Sequence, residues 1–235
     1  MLCKIADLIT EVPDTGGLAP RVRDYLWDGN DVPDIIIRES DFRPVAWKGA
    51  PYDLYCYMET GAYFHSSLLN YGGIILHASA VIYDGRAYLF SGPSGIGKST
   101  HTRLWKQFLG DEAIVINDDK PALRFLDERW YAYGTPWCGK EGINVNVKMP
   151  LAGICFLEQG EKNSISELSA REAIPQIIPQ TMYKFKRSKK TYLLLKNLNC
   201  LMERIPMFHM VNRADLECAQ MSFDHMSRCA NERGL

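Results

Sequence analysis

Nine residues, Gly92-Pro-Ser-Gly-Ile-Gly-Lys-Ser-Thr100, limit what this chain can fold into more than any other feature. They fit the spacing Gly-x4-Gly-Lys-Ser/Thr. The apolar run Arg86 to Phe90 reads as a buried strand entering the segment, and Thr100 to Leu109 reads as a helix leaving it. In a strand–loop–helix frame, glycines let successive backbone N–H groups turn toward one anion, and the helix N-terminus adds partial positive charge. The candidate cradle is Gly92, Ser94, Gly95, Ile96, Gly97, Lys98, Ser99 and Thr100. In a phosphate-binding loop of this kind, Lys98 reaches the outer phosphates of a nucleotide and the Ser99 hydroxyl holds Mg²⁺. A glycine-rich turn that served packing alone would leave the Lys-Ser pair without a role.

The surroundings of the loop set the expected fold class. GGIILHASAVIYDGRAYLFSG, from Gly72, reads as strand, Asp84-Gly85 turn, strand, then glycine loop. Ala113 to Asn117 is another buried strand. PALRFLDERWYAYG reads as a second hairpin, turning near Asp127-Glu128, and Leu151 to Leu157 is a continuous apolar strand. These connections are too short for helical crossovers. The expectation is an α/β fold with the glycine loop on a mixed, largely antiparallel sheet, unlike the strand–helix alternation of a parallel sheet. Further on, Ser169 to Ile178 is a weak helix broken at Pro175 and Pro179, and Leu193 to Arg204 is an amphipathic helix stopped by Pro206. MFHMVNR then reads as an edge or terminal strand, and Asp215 to Cys229 as a closing helix.

Residues 1–48 read as a small accessory α+β region ahead of a main domain over 49–235. Ile5 to Val12 is the first expected strand, Gly17 to Trp27 a short amphipathic helix, and Asp34 to Ser40 a second strand. Tyr52 to Tyr71 is a core-packing helix interrupted at Gly61. With 46% hydrophobic and 23% charged residues, the 235-residue chain has ordinary globular composition. A net charge of −1 argues against a general polyanion binder. No stretch approaches a membrane span, and the acidic, short-run N-terminus is not a secretory signal. Seven cysteines without a CxxC pair argue for a reducing, cytoplasmic setting and for thiols used as small buried hydrophobes. Tyr183 to Lys190 is a basic cluster, read as a solvated loop; without a nucleic-acid fold signature, neither nucleic acid nor membrane is an expected partner.

Asp118 and Asp119 follow an apolar strand about twenty residues beyond Lys98, where a second metal-binding carboxylate would stand. Adjacent carboxylates on extended backbone point in different directions, so one can hold Mg²⁺ while the other meets another group. His77 ends the GGIIL run, and the intervening hairpin can return it to the glycine loop. By spacing alone it reads sooner as a core residue. Trp137 and Cys138 lie in an expected loop, where the indole can stack on a ligand or pack inward.

LHASAV, GPSGIGKST, INDD and the stretch from Trp137 to Leu157 together resemble the HPr kinase/phosphorylase catalytic domain, whose superfamily includes the ATP-dependent phosphoenolpyruvate carboxykinases. The resemblance runs from about Tyr71 to Leu157. His77 takes the place of a histidine that precedes the loop in those kinases, and Asp118-Asp119 match their paired aspartates. Gly139-Lys-Glu-Gly-Ile-Asn-Val145 resembles their later glycine-rich signature. An arginine of that signature falls near Lys140 here, and the N-terminal segment does not resemble their regulatory domain. Closer look-alikes within that superfamily are small kinase-like proteins, some accompanying peptide-modification gene clusters.

The resemblance implies an Mg²⁺-dependent kinase that passes the γ-phosphate of ATP to a serine-type hydroxyl of a peptide, protein or small molecule. It implies that Lys98 and the amides of Gly95 to Ser99 hold the phosphates and that Ser99 and Asp119 bind Mg²⁺. Asp118 would be the base, His77 would position Asp118 or the phosphoryl group, and Lys140 and Glu141 would contact substrate or phosphate. A homo-oligomer is compatible with the family. The rival readings are a free-serine or other metabolite kinase, a carboxykinase-like lyase, and a nucleotide-binding module without chemistry.

Overall fold

The computed structural model describes residues 1–43, 49, 51–183 and 189–235. The boundary expected after residue 48 adjoins undescribed residues, and Lys184 to Ser188 of the basic cluster lie outside the described ones. Of that cluster's described lysines, Lys190 donates to the Ser66 carbonyl (2.6 Å).

The chain opens with an antiparallel hairpin, β1 (Leu2–Ile5) and β2 (Leu8–Glu11), and β3 (Ile35–Ile36) joins β2 in parallel. The single strand expected over Ile5 to Val12 is therefore split. Ala6 and Asp7 both adopt positive φ (50° and 59°), the turn whose twist matches the flanking strands. The helix expected over Gly17 to Trp27 is two 3-10 turns, Ala19–Arg21 and Arg23–Tyr25. Pro20 lacks a ladder donor, and so short a segment gains little from propagation. The strand expected over Asp34 to Ser40 is shorter, because Glu39–Asp41 turns away with Asp41 accepting from the Arg38 amide (3.0 Å).

Helix α1 (Tyr52–Leu68) runs through Gly61 without interruption. A Cβ at Gly61 would lie 2.8 Å from Cδ1 of Trp137, so the glycine makes room for an indole from a distant loop. Trp137 is buried and stacks on Phe64, 4.8 Å between centroids. Packing, not exposure, is its role in this fold. All cysteines except Cys200 are buried.

The remaining elements are β4 (Gly73–Ile75), β5 (Ala78–Tyr83), β6 (Arg86–Ser91), α2 (Lys98–Leu109), β7 (Ile114–Asn117), β8 (Ala122–Leu126), β9 (Arg129–Tyr133), β10 (Lys148–Gln159), β11 (Ser164–Leu168), α3 (Ala170–Ile177), α4 (Lys189–Arg204), β12 (Met207–Asn212) and α5 (Leu216–Arg233). Among the described residues, the nine strands from β4 onward form one sheet with the path β4-β8-β9-β10-β6-β5-β7, and β12 and β11 branch from β10. Within this sheet, among the described residues, only the β10–β6 and β10–β12 pairings are parallel. The sheet is thus mixed and largely antiparallel, as the short turns imply.

β10 joins its parts. Lys148 to Pro150 pair with β9, a bulge follows between Leu151 and Gly153, and the rest of the strand lies between β6 and β12. The bulge bends the strand, and the sheet curls around it. Beyond it, Ile154 and Phe156 face a core closed by α3 and α4, while Cys155 and Leu157 face one closed by α5 and Trp105 of α2. Cover on both faces explains the unbroken apolar run. β12 is not an edge strand, because β11 pairs outside it. β11 has no signature in the sequence, because Ser164, Ser166 and Glu167 are exposed and leave no apolar alternation. Pro175 does not break α3, which a reciprocal Ser169–Glu172 cap secures at its start. No described helix is long and apolar enough to cross a membrane.

Gly134 follows β9 where the chain passes the Asn144–Val145 backbone. A Cβ there would lie 1.8 Å from the Val145 carbonyl oxygen, a clash no side-chain rotation relieves. Gly134→Ala should destabilise the fold by about 3 kcal/mol or more, read as a lower urea midpoint at unchanged slope.

Candidate active site

The glycine loop connects β6 to α2, and its turn depends on backbone angles that side chains resist. Gly95 has φ +82° and Gly97 has φ +107°. Gly97 caps α2 without a side chain, so no cap hydrogen bond engages the first-turn amides. α2 starts at Lys98, two residues earlier than the sequence suggests, which brings Lys98 and Ser99 onto its first turn. The Lys98 ammonium folds back onto the Gly92 and Pro93 carbonyls (2.9 and 3.1 Å). Burial lowers its pKa, against the opposing charge of Asp119. Behind the loop, Thr102 meets Ser79 of β5 (2.9 Å). His101 and Trp105 converge on Ser222 of α5 (2.9 and 2.8 Å). The helix that carries the loop is thereby fixed to the sheet and to α5.

Asn117, fully buried at the end of β7, shapes the second half of the site. Its Oδ1 accepts from the amides of Asp119 (2.9 Å) and Lys120 (2.6 Å), and its Nδ2 donates to the Thr135 carbonyl (3.0 Å). The backbone turns sharply there, and the two carboxylates part. Asp118 Oδ1 accepts from the Gly139 amide at 2.6 Å. Burial raises its pKa, and the nearby Asp119 and Glu141 charges add to the rise over the opposing Gly139 amide. Asp119 lies 3.3 Å from His77 Nε2 and pairs through Oδ2 with the Lys120 ammonium. Burial pushes its pKa up, but the His77 hydrogen bond and the Lys120 charge outweigh this and hold it at about 2. His77 Nδ1 stands 3.2 Å from Gln180 Oε1, and its backbone amide donates to the Gln180 carbonyl (2.8 Å).

These segments enclose a cleft of about 500 Å³. It is lined by His77, Ser94, Gly95, Gly97, Lys98, Ser99, Thr100, Asp118, Asp119, Lys140 and Glu141, together with Arg103 and Gly139. Of the residues singled out in the sequence, Gly92 and Ile96 stand outside its lining. Ile96 packs against the core between the sheet and α5, and Gly92 supplies a carbonyl to Lys98. His77 contacts Asp119, and not Asp118. Cys138 is buried, with Arg21 Nη1 3.0 Å from its sulfur. The sequence reading missed Arg103, which reaches Glu141 across the cleft (3.6 Å). Its place four residues after Ser99 on a helix could have revealed it. Gln180, Lys120 and the clamping role of Asn117 carry no comparable local signal.

Fold and cleft together define a mixed α/β protein in which a strand–glycine loop–helix turn faces a carboxylate pair. The chain belongs to the ScmC family, described as SynChlorMet cassette protein ScmC, whose model matches residues 62–217. No curated protein matches the chain. Among solved structures it is similar to the HPr(Ser) kinase/phosphatase from Coxiella burnetii, at 11% identity over 68% of this chain and 94% of that one, with a TM-score of 0.38.

Because Asp119 titrates near 2 in the fold against an ordinary value of 3.8, its ionised form stabilises the protein above about pH 4. That contribution fades as pH falls through about 2, and only below that is the carboxyl protonated in both folded and unfolded chains. Asp119→Asn should cost about 2 kcal/mol at pH 7 and flatten the pH dependence of stability between pH 4 and 2. Denaturant titrations across that range measure both effects.

Proposed function

We propose that the cleft binds ATP and transfers its γ-phosphate to a serine-type hydroxyl of a peptide or protein. The observation that carries this reading is the meeting of Lys98 and Ser99, Asp118 and Asp119, and His77 in one cleft from separate stretches of chain. Phosphoryl transfer asks for little beyond positioning and charge neutralisation, and these side chains are the types that supply both. The loop amides and Lys98 hold the β- and γ-phosphates. Ser99 and Asp119 offer oxygen donors, which suit Mg²⁺ carried with the phosphates, and the ion would neutralise the charge there. To do so Asp119 shares its oxygens with His77 and Lys120 or exchanges them.

The acceptor hydroxyl oxygen attacks the γ-phosphorus as the bond to the β–γ bridging oxygen breaks. ADP leaves, and the hydroxyl proton passes to Asp118. A raised pKa on Asp118 beside a lowered one on Asp119 is the division that assigns a base and a charge-holding partner to adjacent carboxylates. His77 orients Asp119, with Gln180 fixing the ring from the other side. Lys140 and Glu141 contact the substrate or its phosphates at the cleft edge.

Incubation with γ-labelled ATP, Mg²⁺ and serine-containing acceptors tests the reading. Label should reach the hydroxyl. Lys98→Ala should abolish nucleotide binding or transfer, and turnover at the wild-type rate would overturn the assignment. Asp118→Asn should lower kcat by about a hundredfold or more while nucleotide affinity stays near wild type. A parallel loss of affinity would move Asp118 into the metal-holding role.

A further inference from the structure

Lys120 stands between two spaces. Its ammonium pairs with Asp119 in the cleft, and its side chain also walls a separate cavity of about 200 Å³ beneath α1. Met58 and Ala62 of α1, Trp137 and Met182 supply apolar walls. No residue of the glycine loop lines this cavity. Its walls come instead from the segments that set the other side of the cleft. Lys120 follows Asp119; Trp137 stands two residues before Gly139, which holds Asp118; Met182 stands two residues after Gln180, which holds His77. The cavity therefore adjoins the carboxylate end of the cleft, where an acceptor hydroxyl would lie, and not the phosphate end.

Its charges and dimensions narrow the occupant. Among the described residues, both cations at its rim are already matched: Lys120 by Asp119, and Arg43 by Glu59, to which its guanidinium donates at 3.0 and 2.5 Å. Where Asp119 shares its oxygens and keeps Lys120, neither is spare for a free carboxylate, which argues against a small amino acid held by its ends. Besides the Tyr57 and His65 rings, the walls are an indole and two thioethers, and the thioethers adapt to apolar shapes. At ~30 Å³ per water-sized group, the space suits a side chain of about four to seven heavy atoms. From its mouth a groove of about 400 Å³ continues past Arg43, Ala62 and Met182, which line both spaces. That is room for a chain extending in either direction from one anchored residue.

We propose that this cavity is the recognition pocket of a peptide acceptor, taking a large apolar side chain (leucine, methionine or phenylalanine) beside the serine that is phosphorylated. The proposal rests on the phosphoryl-transfer reading of the cleft and adds the class of acceptor to it.

The test uses a set of short serine peptides in which each neighbour of the serine is alanine, leucine, phenylalanine or aspartate. Two quantities are read: kcat/KM for transfer, and direct peptide binding with a non-hydrolysable ATP analogue present. At one position, leucine or phenylalanine should exceed alanine by about tenfold or more, with aspartate poorest. Ala62→Leu, which lengthens a side chain lining the cavity, should collapse that ratio toward unity. Met58→Ala, which enlarges the cavity, should shift the optimum toward phenylalanine. Because leucine suits a helix, a thermal unfolding scan of Ala62→Leu checks that the fold is intact. Equal use of all peptides, or a preference that neither variant alters, overturns the pocket. Transfer to free serine with no peptide preference overturns it while sparing the kinase reading. Peptide binding that favours apolar neighbours and is sensitive to Ala62→Leu, without any transfer, sustains the pocket and sinks the kinase.

Discussion

The site hangs on the buried side-chain amide of Asn117. Four of its hydrogen bonds are to backbone: two amides of the turn that follows β7, and the Thr135 and Trp137 carbonyls of the segment that leaves β9. The two amides would otherwise be part-buried donors seeking a partner, at a cost of about 1–3 kcal/mol apiece. One side chain therefore decides how the chain leaves the strand, where Asp118 and Asp119 point, and how near the Gly139 loop comes. Thr135 reinforces it by donating its hydroxyl to the Lys120 carbonyl (2.8 Å).

Around that clamp, charges are arranged in pairs across segment boundaries. Asp119 is held between His77 and Lys120, Glu141 reaches Arg103, and Asp118 takes the Gly139 amide. On the opposite wall the glycine loop owes its position to packing behind α2, where Ser222 of α5 meets His101 and Trp105. A rigid loop facing a hydrogen-bonded carboxylate pair is the kind of preorganised polar site in which electrostatic stabilisation works best. The N-terminal strands share a core with α1 and with Trp137, so that region is packed against the site's outer wall.

Much of the fold was legible where one physical signal dominated. The Asp84-Gly85 turn and the unbroken apolar run of β10 each announced an element. The misreadings have equally local causes. β11 carries too few apolar residues to alternate, and the Ala6-Asp7 turn lacks the asparagine or glycine that marks such turns. At Gly61 the sequence shows a helix-weakening residue, and only the indole packed against it explains why glycine stands there. For the site, Lys98, Ser99 and the aspartate pair were visible as a motif with its spacing. Gln180 was not, because it reaches His77 from 103 residues away.

By itself the sequence determined the glycine loop, its strand and helix, the carboxylate pair and the mixed character of the sheet. These rest on short-range patterns: steric freedom at glycine, apolar periodicity, and turns too short for a crossover. The tertiary structure alone decided which groups face one another. It joined His77 to Asp119 instead of Asp118, placed Lys120 between the cleft and the cavity under α1, and set Trp137 against Gly61. Contacts of that kind depend on how β10 bends and how α1 closes over the sheet. No window of neighbouring residues encodes that geometry, because it is settled by packing among segments far apart in the chain.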